Sequence, residues 1–193
     1  MLMRLLACVG SVAATASALA TDLNVTMTVD NYFTAYISTD DTVAGTPFLS
    51  SDNWQVPVSG SYTFPGAGTY YLHVAAGDQG GPRAFLGDFA LTDAFGAFEN
   101  GGQYLLTGTS NWLVSSTGFG ADYSAPIDYG VNGTGAWSFM SQIDSNSHWI
   151  WGTSTDPLAF FSTKIVIVPQ PGALALMVIS GLAAGGCRRR TVH

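Results

Sequence analysis

A period-two alternation of apolar and polar residues is the feature that most constrains the fold of this chain. It recurs at residues 23–29, 70–75 and 85–91, within a region that extends from residue 21 to residue 168. Because successive side chains of a β-strand point to opposite faces, this period indicates strands with one buried face. Glycine-rich turn clusters separate the runs, and the region contains no segment of helical period. The sequence therefore predicts an all-β fold, and within that class an antiparallel β-sandwich.

The same region is strongly acidic. It contains all thirteen acidic residues of the chain, whereas Arg83 and Lys164 are its only basic residues. Proteins bind nucleic acids largely by neutralising phosphates with lysine and arginine, so this composition excludes a nucleic-acid partner. Both cysteines of the chain lie outside the region, so no disulfide can form within it.

The N-terminal end has the layout of a secretory signal peptide. Arg4 supplies a positive charge, an apolar segment follows, and residues 18–20 form an A-x-A cleavage site. The apolar segment is about 12 residues long, which is short for a membrane span of ~20 residues. We therefore predict a signal peptide at residues 1–20 and an exported β-sandwich domain at residues 21–168.

The C-terminal end has a compound signal of its own. Its parts, in order, are a V-P-Q-P-G motif, a short apolar run and an arginine cluster: Val168, Pro169, Gln170, Pro171, Gly172, and then Arg188, Arg189 and Arg190. The prolines break any helix or strand that reaches them, so the motif should be exposed backbone. A helix in the apolar run is short for a ~30 Å hydrocarbon core but can span it with help from its flanks. Arginines favour the cytoplasmic side, so the domain would lie outside.

This arrangement resembles the PEP-CTERM sorting signal of exported bacterial proteins, with Gln170 where the family name has Glu. The resemblance implies that residues 169–193 are a sorting signal with a short transmembrane helix. It also implies a partner, an exosortase-type membrane cysteine protease that recognises the motif and removes the tail. The protein would then be anchored transiently with its domain outside, and afterwards lie at the cell surface or outside the cell. An ordinary single-span anchor is the alternative, with the same orientation and no cleavage.

The order of motifs inside the domain is more specific than the alternation. An acidic-led strand begins at residue 30, a glycine pair and a strand occupy residues 80–91, an Asn-Trp segment lies at 111–112, and a W-I-W segment ends at residue 151. This order resembles the galactose-binding-like jelly roll, a module often appended to bacterial glycan-active enzymes. The resemblance implies a jelly-roll sandwich and a setting in glycan chemistry.

Residues suited to catalysis are few. His73 and His148 are the only histidines of the domain, and Glu99 is its only glutamate. Alternation places His73 toward solvent or the second sheet, and His148 is expected in a turn. No nucleophile elbow, phosphate loop, zinc spacing or dinucleotide fingerprint is present. We therefore predict no catalytic residue and a non-catalytic surface or matrix protein. The alternative is a small secreted hydrolase acting on glycans, which needs a cleft joining one histidine to a serine and an aspartate.

Two ligand sites follow from residue type alone. Asp30, Asp40 and Asp41 offer the hard oxygen atoms that calcium prefers. They are the candidate ligands of a calcium ion, and the sequence indicates no other cofactor. Trp149 and Trp151 are two residues apart, so in a strand they share a face and could stack against sugar rings of a polysaccharide. The alternatives are that the aspartates are solvated turn residues and that the tryptophans fill the core.

Overall fold

Our computed structural model describes two stretches of the chain, residues 20–153 and 155–170. The predicted signal peptide, except for its last residue, lies outside the described residues. So do Pro171, Gly172 and the whole of the apolar run and arginine cluster that follow them. Residues Ala20–Pro169 form one compact unit. In the part of the chain that the structure describes, we find no apolar helix with the length of a membrane span.

The described residues are built of strands joined by turns and loops. In chain order the strands are β1 (Asp22–Asp30), β2 (Tyr32–Ser38), β3 (Thr46–Ser51), β4 (Val58–Thr63), β5 (Gly68–Gly77), β6 (Ala84–Leu91), β7 (Gly96–Phe98), β8 (Tyr104–Leu106), β9 (Leu113–Ser115), β10 (Ile127–Val131), β11 (His148–Trp151) and β12 (Leu158–Ile167). They form two sheets, in which the paired strands are antiparallel. The prediction of an all-β fold made of antiparallel sheets is therefore confirmed.

In each sheet, two short strands pair with the same edge of one longer strand. Sheet A has the order β10-β11-β6-β1-β4, and β8 also pairs with β6. Sheet B has the order β3-β2-β5-β12-β7, and β9 also pairs with β12. The β9 register ends at Ser162 and the β7 register begins at Ile165. Thr163 and Lys164 therefore have no strand partner on this side among the described residues, and we call this interruption the notch.

The alternation buries one face of each sheet in a shared core, as the sequence predicts. Leu23, Val25 and Met27 of β1 and Phe161 and Ile165 of β12 all belong to this main core. Burial of such side chains gives about 1.5–3 kcal/mol each, which is the principal stabilisation available to residues 20–170, a region without cysteine.

Part of the second face of sheet A is also covered. Ala84 and Leu86 alternate with core residues of β6 and instead contact Trp137, Met140 and Ile143, which come from the loop between β10 and β11. We call this group the second cluster. Its presence explains why the first half of β6 is apolar on both faces, because Ala84 and Leu86 are covered as completely as the core residues between them.

Trp149 and Trp151 do not form the platform that the sequence predicts, because both are 0 % exposed. Trp149 lies in the second cluster, where it stacks on Trp137 with ring centroids 4.9 Å apart. Trp151 lies in the main core, edge to face with Phe161 at 5.8 Å. A large aromatic side chain buries 150–250 Å², so packing each tryptophan in a cluster is more favourable than leaving its ring exposed to solvent.

Candidate functional site

The aspartates predicted to hold calcium are not brought together. Asp30 ends β1, whereas Asp40 and Asp41 follow β2, so the seven residues of β2 separate them by roughly 20 Å. The carboxylate of Asp30 accepts a hydrogen bond from Trp137 Nε1 at 3.0 Å, and burial raises its pKa. Within residues 20–153 and 155–170, no group of three or more His, Cys, Asp or Glu side chains could hold a metal ion.

Asp40 stabilises the turn after β2. Its Oδ1 accepts hydrogen bonds from the backbone nitrogen of Thr42 at 2.9 Å and from the Thr42 hydroxyl at 2.8 Å. The bond from the Thr42 backbone is the main cause that lowers the pKa of Asp40. This is the turn role that aspartate commonly has in loops.

Asp41 is the centre of a partly buried hydrogen-bond cluster on the face of sheet B opposite the main core. Its Oδ1 accepts from Tyr123 Oη at 3.1 Å and from Ser162 Oγ at 2.8 Å, and it lies 3.1 Å from His73 Nε2. Because a carboxylate only accepts, Nε2 carries the proton. His73 is fully buried under the ring of Phe119, which stacks on it at 4.1 Å, so it does not face solvent.

The order of contacts in this cluster is not that of a catalytic triad. In a triad the histidine lies between the serine and the aspartate and takes the serine proton. Here Ser162 and His73 both bond to Asp41, and no hydrogen bond joins the two to each other in the described chain. The cluster therefore ties β5 and β12 to the loops around Asp41 and Tyr123.

The notch opens into a cavity of about 430 Å³, which we call the notch cavity. Residues that line it include Asp41, Tyr71, Glu99, Trp112, Thr163 and Lys164. Lys164 Nζ lies 2.7 Å from Glu99 Oε2, and both side chains are well exposed. Thr163 is only 3 % exposed, and its hydroxyl has no hydrogen-bond partner within the described residues.

A second cavity of about 470 Å³ adjoins the first, and we call it the histidine cavity. Its lining includes Asn100, Tyr104, Ser110, Asn111, Asp128 and His148. The segment from Thr109 to Trp112 lines both cavities, so the two are neighbours on either side of one wall. We refer to the pair of cavities as the groove.

The histidine cavity contains an exposed histidine–aspartate pair. His148 begins β11 rather than lying in a turn, and its Nδ1 is 2.8 Å from Asp128 Oδ2. The other oxygen of Asp128 accepts from the backbone nitrogen of Gly130 at 2.7 Å, which fixes the carboxylate. Among the described residues, His148 Nε2 makes no hydrogen bond, and none joins it to Ser110 in the same cavity.

Comparisons with protein-family models, with curated proteins and with solved structures found no match to this chain. The function of the groove must therefore be argued from its own residues.

The described part of the predicted sorting motif, residues 168–170, directly follows β12. Val168 donates its backbone N–H to Phe95 O at 2.7 Å, and the side chains of Val168 and Pro169 are exposed. Gln170 is half-buried. An exposed segment at this place is the type of backbone that a processing enzyme can reach.

Sequence analysis did not single out most of the groove residues. Thr163 has the position of an ordinary inward-facing residue of β12, and Tyr104 and Asn111 lie in short segments with weak strand signals. The run of small polar residues at 107–111 is the one signal that could have drawn attention to this surface. Loops of this type connect strands and also carry binding residues.

Proposed function

We propose that this protein is a non-catalytic exported protein of the cell surface or extracellular matrix, and that it binds carbohydrate in the groove. The groove lining carries this proposal. The wall shared by the two cavities includes Thr109, Ser110 and Asn111, whose side chains both donate and accept hydrogen bonds. Sugar hydroxyls need partners of both kinds, so a wall of hydroxyl and amide groups suits a polyhydroxylated chain.

Aromatic side chains of the groove replace the tryptophan pair as the apolar contacts. Tyr104 is 47 % exposed and lines the histidine cavity, and Tyr71 lines the notch cavity. A tyrosine ring at a rim offers an apolar face to a pyranose ring while its hydroxyl stays in water. The groove thus combines a polar wall with one aromatic ring in each cavity.

Export is the second half of the proposal, and the two terminal signals support it. The predicted signal peptide directs the chain out of the cytoplasm, and the PEP-CTERM-like tail would anchor it until an exosortase-type protease cleaves at the motif. Mass spectrometry of the protein from its native host should show the loss of residues 1–20 and of the tail. A full-length chain recovered from the cytoplasm would contradict this route.

We also propose that the domain is a galactose-binding-like jelly roll, and the order of its sequence motifs is the sole support for this family.

Retention on immobilised polysaccharides tests the binding function. The full-length protein in mild detergent is passed over cellulose, starch, agarose and mannan. Asn111→Ala and Tyr104→Ala should each reduce retention, because both residues line the histidine cavity. Tyr32→Ala is the matched control, since Tyr32 is an exposed tyrosine at the start of β2 and lines neither cavity of the groove. Wild-type protein that binds none of the four matrices would overturn the proposal.

A second candidate function is hydrolysis of a glycan or of an ester on it. His148 and Asp128 favour it, because a carboxylate on Nδ1 leaves Nε2 available for a serine, as in serine hydrolases. Ser110 is the serine in the same cavity. Release of acetate or of reducing sugar from acetylated polysaccharide distinguishes the two functions. Turnover that is lost in both Ser110→Ala and His148→Ala would establish the hydrolase, whereas retention without turnover supports binding alone.

A further inference from the structure

The edge strands of the two sheets differ in how well they are protected from other chains. An edge strand offers unpaired backbone N–H and C=O groups unless charge, proline, a bulge or short length prevents pairing. β10 has a register shift next to Asp128, β3 has a register shift and Pro47, and β7, β8 and β9 have three residues each. β4 differs from all of these, because its register on β1 is continuous from Val58 to Thr63 and its sequence contains no charge and no proline.

Three residues of β4 direct their backbone groups toward the open edge. In an antiparallel pair, alternate residues bond to the neighbouring strand and the residues between them point away from it. Phe64 N donates to Thr21 O at 2.9 Å, and the register continues this alternation along β4. It therefore directs the N–H and C=O groups of Ser59, Ser61 and Thr63 away from β1. Within residues 20–153 and 155–170 these groups have no hydrogen-bond partner, and the three side chains are exposed.

This edge is complementary to itself. When two copies of β4 lie antiparallel with Ser61 opposite Ser61, Ser59 lies opposite Thr63, and each residue exchanges two backbone hydrogen bonds with the residue that it faces. The side chains brought together all carry hydroxyls, which form hydrogen bonds across strands. Thr26 Oγ1 and Ser59 Oγ already form such a pair between β1 and β4, at 3.0 Å. A second copy therefore matches the edge in both its backbone and its side chains.

Charge favours β4 as the strand through which two copies meet. Residues 21–168 carry thirteen acidic and two basic side chains, so two copies repel each other across most of their surfaces. β4 is uncharged, so a contact through it does not place like charges opposite each other. One strand from each copy buries less than the roughly 1,200–2,000 Å² of a stable complex, so the association should be weak and reversible.

We propose that β4 is a self-association site, at which two copies of this chain pair their β4 strands antiparallel about a two-fold axis at Ser61. The A sheets of the two copies then form one continuous sheet. This site is separate from the proposed carbohydrate-binding groove, because no residue of β4 lines either of its cavities.

Position 61 provides the decisive variants, because the axis places it opposite itself. Sedimentation of the full-length protein in mild detergent should show more dimer as concentration rises. Ser61→Lys and Ser61→Glu should each lower the association constant at least about ten-fold, since like charges then face each other. An equal mixture of the two variants should recover the association of wild type. Ser50→Lys is the matched control and should associate like wild type, since Ser50 is an exposed serine on the interrupted edge strand β3.

Disulfide formation is a second measurement, which does not depend on an introduced charge. Facing residues of an antiparallel pair have Cα atoms about 5.5 Å apart, a distance that a disulfide spans. Cys8 and Cys187 are first replaced by serine, and oxidised glutathione is the oxidant. Ser61→Cys should then form a covalent dimer, whereas the control Ser50→Cys should not.

The outcomes decide both the site and its register. Wild-type protein that stays monomeric at every concentration overturns the proposal. So does a dimer that Ser61→Lys leaves unchanged, because the contact then lies elsewhere, for instance in the C-terminal apolar run. A mixture of the two charged variants that stays monomeric, or Ser61→Cys without a covalent dimer, overturns the two-fold pairing at Ser61. If the charged variants fail to fold, as judged by their melting temperatures, the disulfide measurement alone decides. In the native host, Ser61→Cys linked to a different protein instead of a second copy also overturns the proposal.

Discussion

Two histidine–aspartate pairs in the described part of the chain have similar lengths and opposite surroundings. The contact between His73 and Asp41 measures 3.1 Å, and the side chain of His73 is 0 % exposed. The contact between His148 and Asp128 measures 2.8 Å, and both side chains are about two-fifths exposed. The longer contact lies inside a network with Phe119 stacked over it, whereas the shorter one lines an open cavity.

This difference shows that surroundings, rather than distance, decide what such a pair contributes. An exposed ion pair is screened by water and stabilises the folded state by about 0–1 kcal/mol. A buried partner cannot be replaced by water, so its removal leaves a polar group without a bond at a cost of several kcal/mol. We therefore assign the His73 pair to stability and leave the His148 pair free for ligand chemistry.

The largest expected effect that tests this comparison is that of His73→Ala. The change removes the ring that stacks on Phe119 at 4.1 Å and the donor to Asp41. We expect the free energy of unfolding to fall by about 3 kcal/mol, as for other broken buried polar networks. Urea unfolding, followed by tryptophan fluorescence, measures it.

The matched control for this prediction is His148→Ala, which removes the same side chain from the exposed pair. Its effect on the free energy of unfolding should stay below about 1 kcal/mol. Equal losses in the two variants would show that burial does not distinguish the pairs. A larger loss for His148→Ala would reverse the assignment.

A smaller effect is expected from Phe119→Ala, which uncovers the buried pair without removing it. Phe119 also contacts Phe160 edge to face at 5.2 Å, so its ring attaches the loop between β9 and β10 to sheet B. For a half-buried phenylalanine we expect a loss of about 2 kcal/mol, near half the usual cost at a fully buried site. Hydrogen exchange should increase around Tyr123, which donates to Asp41 from the same loop.

Phe139→Ala is the control for this loop prediction. Phe139 is exposed and lies in the loop between β10 and β11. Its removal should change the free energy of unfolding by less than about 0.5 kcal/mol, as for most surface substitutions. Unchanged exchange around Tyr123 in Phe119→Ala would mean that the loop is held by its hydrogen bonds alone.

The strands could be predicted from the sequence because their signal is local. Alternation at residues 23–29 and 85–91 determines which side chains face the main core, and both runs are strands in the structure. The fate of Trp149 and Trp151 could not be predicted in this way. A spacing of two residues says that two side chains share a face of an ideal strand. It does not say that a distant loop carrying Trp137 will cover one of them.

The groove was beyond sequence analysis for a related reason. Its atoms come from segments that lie far apart in the chain, such as Asp41, Thr163 and Asn111. Only the register of β7 and β9 on β12 creates the notch beside Thr163 and Lys164. Single-residue properties and local spacing carry no information about this register. The predicted calcium group fails for a different, local reason: Asp30 and Asp40 are near in sequence, but the extended strand β2 holds them at its opposite ends.

The smallest expected effect is a pH dependence of stability that has opposite signs for Asp40, near the buried pair, and Asp88, near the groove. Beside the buried pair, hydrogen bonds from Thr42 lower the pKa of Asp40. Its stabilising contribution is present above the unfolded pKa of about 3.9 and is lost as pH falls through the folded value. Beside Tyr104 of the groove, burial raises the pKa of Asp88. Its contribution is present below the unfolded pKa and is lost as pH rises through the folded value.

Asparagine variants measured between pH 3 and pH 7 test these signs. At the acid end, a protonated aspartate and an asparagine are both neutral, so each variant should differ least from wild type there. As pH rises, Asp40→Asn should become less stable relative to wild type, because wild type gains a favourable carboxylate. Asp88→Asn should become relatively more stable, because wild type must then ionise a half-buried carboxyl, and this desolvation outweighs the hydrogen bond that its Oδ2 accepts from Asp144 N at 2.8 Å. If the stability difference from wild type changed with pH in the same direction for both variants, burial and hydrogen bonding would not distinguish Asp40 from Asp88.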